Sequence, residues 1–406
     1  MLTTDWRSDF RRLWLAYALG QIGSGVATGG LALVAVLTLA VADWQVSVLG
    51  AVSAITTALV ALPLGSRIEF RRKRPVMIAA DLLAAAALLS VPVAWWLGRL
   101  TFAQLCVVGA LQVLATVSFA AAAGAHLKGL VAPDARVWAQ SRLDSTMWGG
   151  FTLGPPAGGA LASAFGPVLV LAVDAVSYLG SALGIRRLRS PEPDPPARQA
   201  DQHWRAEMAA GWRFVLGHPG LRALFCNALL FGGGIMLISP LLAVLVLRDL
   251  GLAPWQYGLL LGVSGLGGLV GATLAPRAVR WWGERAVLLG AGTLRAVWMP
   301  LLVVAPPGTA GFVLVTAAET LLLFFAGLFN PTFASYRMTV TPDELMSRVG
   351  MSWSVATRTV QPLFIALGGL VTALAGLRAG IAVGAGVLLV TGALLPWRAT
   401  ADGARR

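Results

Sequence analysis

Among the ionisable side chains that fall inside otherwise apolar stretches, four stand out: Asp174, Arg295, Glu319 and Arg358. A charge in such a stretch is costly enough to mark a function or a buried partner by default. A carboxyl there can take up and release a proton, and an arginine can hold it ionised, so the chemistry on offer is reversible protonation rather than bond making. Glu319 lies about nine residues into its stretch, roughly 13 Å deep, and Arg358 lies at a similar depth in the next one, within a core about 30 Å thick. The two are expected to pair, and opening of the pair would let Glu319 take up a proton. The competing reading is a static charge pair that joins two helices. Asp174 and Arg295 are further proton-coupling candidates.

The stretches that hold these groups dominate the chain. Of 406 residues, 57% are hydrophobic and 12% charged, against about 25% charged in soluble chains. Windows of about twenty residues predict helices near 13–41, 45–66, 75–98, 102–124, 138–164 and 167–186, and again near 221–246, 256–276, 285–305, 310–336, 349–374 and 377–397. The expected fold is all-α, a polytopic membrane protein with twelve transmembrane helices in two pseudo-symmetric six-helix bundles. The bundles span 1–186 and 220–406, and a linker at 187–219 ends in an amphipathic segment, Trp204 to Leu216, read as an interfacial helix. Each half places a basic connector after its second helix, 67–74 and 277–285, as a duplicated unit would.

The net charge of +13 comes from short segments between apolar blocks and not from one basic face, so it reads as positive-inside topology and not as nucleic-acid binding. Both termini are placed in the cytoplasm. Of 31 basic residues only Lys73 and Lys128 are lysine, a bias that points to GC-rich coding and a bacterial cytoplasmic membrane. Cys106 and Cys226 lie in apolar blocks and the three histidines lie in or beside polar connectors, so neither a disulfide framework nor a metal site is expected. HExxH, GxSxG and P-loop motifs are missing, and the run from Gly265 to Gly271 breaks the GxGxxG pattern at Val270. No catalytic residues and no cofactor are expected.

Two segments carry a more specific signal. Gly65-Ser66-Arg67-Ile68-Glu69-Phe70-Arg71-Arg72-Lys73-Arg74 lies at the end of the second predicted helix. Gly65 would let helices approach, Glu69 could sit at a neighbouring helix N-terminus, and the basic run would hold the connector at one face. In the fifth predicted helix, Gly150, Gly154 and Gly158 recur every fourth residue, Gly159 follows, and Pro155 and Pro156 each remove an amide donor.

The first segment resembles the Gly-x-x-x-Asp-Arg-x-Gly-Arg-Arg signature of the major facilitator superfamily, with Glu69, Phe70 and Arg72 departing from it. The second resembles the Gly-x-x-x-Gly-Pro-x-x-Gly-Gly core found in the fifth helix of that superfamily's exporters. Met77 to Leu82, Val173 to Tyr178 and Thr341 to Val349 resemble the branch that includes the enterobactin exporters. The resemblance implies alternating access, export driven by a proton gradient, and a substrate cavity lined by helices 1, 4, 7 and 10. Those helices offer Gln21, Gln112, Asn227, Phe324 and Phe325 beside Glu319. The expected partners are a small amphipathic molecule of drug or siderophore type, protons and the lipid bilayer, with the chain acting as a monomer. An uncoupled facilitator or importer, and a receptor or scaffold without transport, remain as alternatives at this point.

Overall fold

The computed structural model describes residues 6–131, 136–188, 192, 204–342 and 345–397. Asp5, Asp343, Glu344 and most of the proline-rich part of the linker lie outside the described residues. The helices are α1 (Trp6–Val26), α2 (Gly30–Leu33), α3 (Asp43–Glu69), α4 (Lys73–Trp96), α5 (Phe102–Leu130), α6 (Arg136–Phe165), α7 (Pro167–Arg186) and α8 (Trp204–Gly217). They continue with α9 (Pro219–Val244), α10 (Pro254–Trp282), α11 (Glu284–Leu294), α12 (Thr309–Val340), α13 (Met346–Ala375) and α14 (Leu377–Thr391). Among the described residues, eleven helical spans are long and apolar enough to cross a membrane. The glycine-rich, two-proline α6, at 30 residues, is long enough to be the twelfth.

Two predicted helices turn out to be interrupted. The first breaks after Val26 because Gly29 takes a left-handed conformation (φ +74°), which glycine adopts without a Cβ clash. It resumes as α2 and a π-turn at Val34–Thr38. The ninth, predicted to run over 285–305, ends as α-helix at Leu294 and continues through turns into a short 3₁₀ segment, Met299–Leu302. Pro300 has no amide to donate back to Ala296 O, so the α-helical hydrogen-bond pattern cannot run through this stretch.

The sequence repeat has a backbone counterpart. In the first half Leu39 N–H donates to Val34 O and Val41 N–H to Ala35 O, just before α3 starts. In the second half Leu250 N–H donates to Leu245 O and Leu252 N–H to Val246 O, just before α10 starts. The two π-turns, Val34–Thr38 and Leu245–Asp249, therefore occupy equivalent places in a duplicated unit.

The chain divides into two compact units that do not follow the sequence midpoint. One holds 1–42, 52–200 and 253–262; the other holds 43–51, 201–252 and 263–406. Helices α3 and α10 thus each pass from one unit to the other. In the first unit, Ala80, Ala84 and Ala115 bring α4 and α5 together against Tyr178 of α7. In the second, α9 to α12 close around Leu224, Leu288, Leu328 and Phe329. The C-terminal part of the predicted interfacial helix, α8, contributes Val215 to a cluster with Leu221, Phe225 and Val349. Lipid gives no hydrophobic drive between helices, so close van der Waals packing of this kind must hold the units together.

Candidate functional site

In the first unit a cavity of about 470 Å³ is lined by Gln21 of α1, Asp81 of α4, Gln112 of α5 and Tyr178 of α7. The two glutamines expected at a substrate cavity are therefore brought to one place. Behind them stands Asp174, fully buried. Its carboxylate oxygens lie 3.2 Å from Ser24 Oγ, 3.4 Å from Ser177 Oγ and 3.4 Å from Gln112 Nε2, and Ser24 Oγ is also 3.0 Å from Tyr178 Oη. With three donors converging on it, Asp174 ties α1 and α5 to α7. Replacing Asp174 with asparagine keeps the shape but turns an NH2 group toward those donors, and is expected to destabilise the protein by about 1–3 kcal/mol. Thermal unfolding of the purified variant measures this; an unchanged midpoint would remove the tie.

The glycines of α6 serve two faces. A Cβ added at Gly154 would meet the Gly25 backbone at 2.3 Å, and one at Gly158 would stand 1.8 Å from Val26 O. Gly150, Gly154 and Gly158 therefore admit α1. Gly159 instead faces the start of α10, where its added Cβ would meet Pro254 O at 2.6 Å. In return Gly258 abuts Pro155 O, and Gly262 abuts Pro156 and Thr152 O. Thr152 O is the carbonyl that Pro156 leaves without its helical donor, and the first turn of α10 gains a bond from Trp255 N–H to Ser163 Oγ at 2.9 Å.

The basic connector between α3 and α4 folds back on itself. Lys73 Nζ donates to Ile68 O at 2.8 Å and to Arg71 O at 2.6 Å, and Arg74 donates to Leu188 O at 3.2 Å. Gly65 lies in α3, Arg71 and Arg72 are exposed, and the side chain of Glu69 lies outside the described residues. Glu192 stands at the N-terminus of α4, where it accepts from Lys73 N–H and, at 3.4 Å, from Arg74 N–H. An anion is stabilised there by the unpaired amides and the helix dipole. Nearby His126 is buried, and burial together with the Arg74 guanidinium holds its imidazole below the ordinary histidine range.

In the second unit Glu319 is half-buried in α12. Among the described residues no hydrogen bond or ion pair reaches it. The expected partner, Arg358 of α13, donates from Nε to Ser354 Oγ at 3.2 Å, so the Glu319–Arg358 pair is not formed in this conformation. Arg295, 2% exposed, lies between the rings of Phe231 and Phe329 at 3.7 and 3.8 Å and donates to Asn227 Oδ1. Asn227 in turn donates to Thr391 O at 2.7 Å. Its amide is thus engaged on both sides inside the unit, away from the cavity role expected of it. Phe325 stacks on Trp298 and meets Phe324 edge to face at 5.2 Å.

The sequence from 13 to 360 matches the model of the Major Facilitator Superfamily. The chain belongs to that superfamily. It is 27% identical over 343 residues to the multidrug efflux pump Tap of Mycolicibacterium fortuitum, covering 82% of this chain and 81% of Tap. Among solved structures it is similar to a mutant form of the nucleoside transporter NupG (TM-score 0.77, 13% identity, 95% of this chain and 98% of that one). It is also similar to a bacterial homologue of the iron transporter ferroportin in an inward-facing state (TM-score 0.74, 17% identity, 96% and 98%). This superfamily member is a multi-pass membrane transporter with an all-helical fold. Asp81, Glu192, Gly258 and Gly262 were missed as site residues by sequence reasoning. Asp81 had a signal, an acid in the apolar third helix; the other three are defined only by what they touch.

Proposed function

We propose that this superfamily member exports small amphipathic molecules, of drug or siderophore type, from a bacterial cytoplasm by proton antiport through alternating access. The observation that carries the reading is Glu319, a carboxyl within a membrane-spanning helix that no described residue pairs. An unpaired acid at that depth is favoured only if it binds a proton or a ligand during the cycle. Arg358, one helix on and held by Ser354 in this conformation, is the group that would meet the ionised form once the proton has left. The likeness to a multidrug efflux pump and the exporter-type glycine and proline pattern of α6 support the outward direction.

Uptake of a fluorescent amphipathic probe into inverted membrane vesicles, driven by an acid-inside gradient, tests this. The wild-type protein is expected to accumulate the probe, and Glu319→Gln to lose at least about tenfold of the gradient-driven rate while still equilibrating probe slowly. Gradient-driven accumulation that survives in Glu319→Gln removes the coupling role. Equilibration without accumulation in the wild type favours an uncoupled facilitator.

A further inference from the structure

The face of α1 that turns away from the cavity has a pattern of its own. Tyr17, Gly20, Gln21 and Ser24 line the cavity. At 3.6 residues per turn, Leu15, Leu19 and Ile22 lie about half a turn round the helix from them, and they are 47%, 49% and 56% exposed. Helix α6 borders this apolar stripe on one side, where Trp14 Nε1 donates to Thr146 Oγ1 at 2.9 Å, and α7 borders it on the other, where Gly184 abuts Ala16. The stripe is therefore the floor of an outward groove within the first unit.

Toward the start of α1 the same face becomes basic. Arg7, Ser8, Arg11, Arg12 and Leu15 line a second cavity of about 470 Å³, and among the described residues its lining holds no acid. Arg12 is balanced by the buried Asp9 at 2.7 Å. Arg7 and Arg11 are exposed, and among the described residues neither has an ion-pair partner; Arg7 stands over the Trp6 ring at 5.5 Å.

Two such guanidiniums at the end of an exposed apolar stripe suit an amphiphile with an anionic head. Guanidinium groups hold phosphate oxygens through charge-assisted, often bidentate hydrogen bonds, and an acyl chain gains by covering the apolar floor. The lengths agree. From Arg11 to Ile22 the helix rises about 16 Å at 1.5 Å per residue, and one leaflet supplies about 15 Å of a hydrocarbon core about 30 Å thick. A soluble anion would use the arginines and leave Leu15, Leu19 and Ile22 uncovered, whereas a lipid of one leaflet covers both.

We propose that the outward face of α1, between α6 and α7, is a binding site for one anionic phospholipid, with its phosphate on Arg7 and Arg11 and an acyl chain along Leu15, Leu19 and Ile22. The site is separate from the cavity and from Glu319, and it does not depend on the direction or the coupling of transport.

Native mass spectrometry of the purified, delipidated full-length protein, titrated with phosphatidylglycerol, tests it. Phosphatidylcholine with the same acyl chains is the zwitterionic probe, and glycerol 3-phosphate is the head without the chains. The first phosphatidylglycerol is expected to bind wild type at least about tenfold more tightly than phosphatidylcholine, and Arg7→Gln/Arg11→Gln to weaken it at least about tenfold while changing phosphatidylcholine less than about twofold. Arg7→Lys/Arg11→Lys, which keeps the charge, is expected to recover at least about threefold of the loss. Arg71→Gln/Arg72→Gln, at another exposed pair, is expected to change phosphatidylglycerol binding less than about twofold. Equal affinity of wild type for the two lipids, binding of neither, unchanged phosphatidylglycerol affinity in Arg7→Gln/Arg11→Gln, no recovery with lysine, or the same loss in Arg71→Gln/Arg72→Gln would each overturn the proposal. Glycerol 3-phosphate bound as tightly as phosphatidylglycerol would also overturn it, in favour of a site for a soluble phosphate ester.

Discussion

Gly158→Ala is expected to destabilise the protein by about 1–3 kcal/mol, whereas Gly149→Ala in the same helix leaves stability unchanged or raises it by up to about 1 kcal/mol. The added methyl is the same in both. At Gly158 it would stand 1.8 Å from Val26 O and 2.8 Å from Val26 C, backbone atoms of the partner helix that no rotamer change can move away. At Gly149 it meets nothing within 4 Å. Alanine should therefore push α1 off α6 at the first site and only restrict the unfolded chain at the second. Thermal unfolding of the two purified variants beside wild type decides it. Equal midpoints would mean that α1 and α6 do not rely on this close approach.

A second large effect is expected at the buried arginine. Asn227→Ala leaves the Arg295 guanidinium between Phe231 and Phe329 without its carbonyl acceptor. The cost should be about 2–4 kcal/mol, because a buried charge has lost its hydrogen bond. Arg295→Met removes the charge itself, keeps much of the volume between the two rings, and is expected to cost less. That order runs against the intuition that losing an arginine is the harsher change. Measured by thermal unfolding, a larger loss in Arg295→Met would mean that the cation's contact with the rings outweighs the burial of its charge. Retained proton coupling in Arg295→Met would mark Arg295 as a packing element, and its loss would return Arg295 to the coupling machinery.

The membrane fold was legible because its cause is compositional. Runs of about twenty apolar residues have few solutions in lipid other than a spanning helix, so the helix positions follow from hydropathy alone. The interruptions were harder. Gly29 and Pro300 were in plain view, but glycine and proline are common in spanning helices, and only the backbone distinguishes the broken helix at Gly29 from the continuous α6 through Pro155 and Pro156. The glycine spacing of α6 announced a packing face; that Gly159 serves a second partner, Gly258, required the third dimension.

The charges divide in the same way. Sequence depth brought Glu319 and Arg358 to one level, but depth says nothing about rotation around each helix, and in this conformation Arg358 turns to Ser354. In the sequence Asn227 reads as a cavity residue because it is polar in the seventh span, and Arg295 reads as a separate buried charge. That each is the other's partner is a contact between residues far apart in the chain. Likewise Glu192 in the linker reaches the α4 N-terminus, a contact that no local pattern marks.

The most direct test of proton-coupled export is the pH of the lumen of inverted vesicles that hold the purified protein, followed after an acid-inside gradient is imposed and ethidium is added outside. Lumen pH is expected to rise on ethidium addition as protons leave in exchange, in wild type and not in Glu319→Gln. Ethidium entry with no change in lumen pH, or the same rise in both proteins, would contradict it.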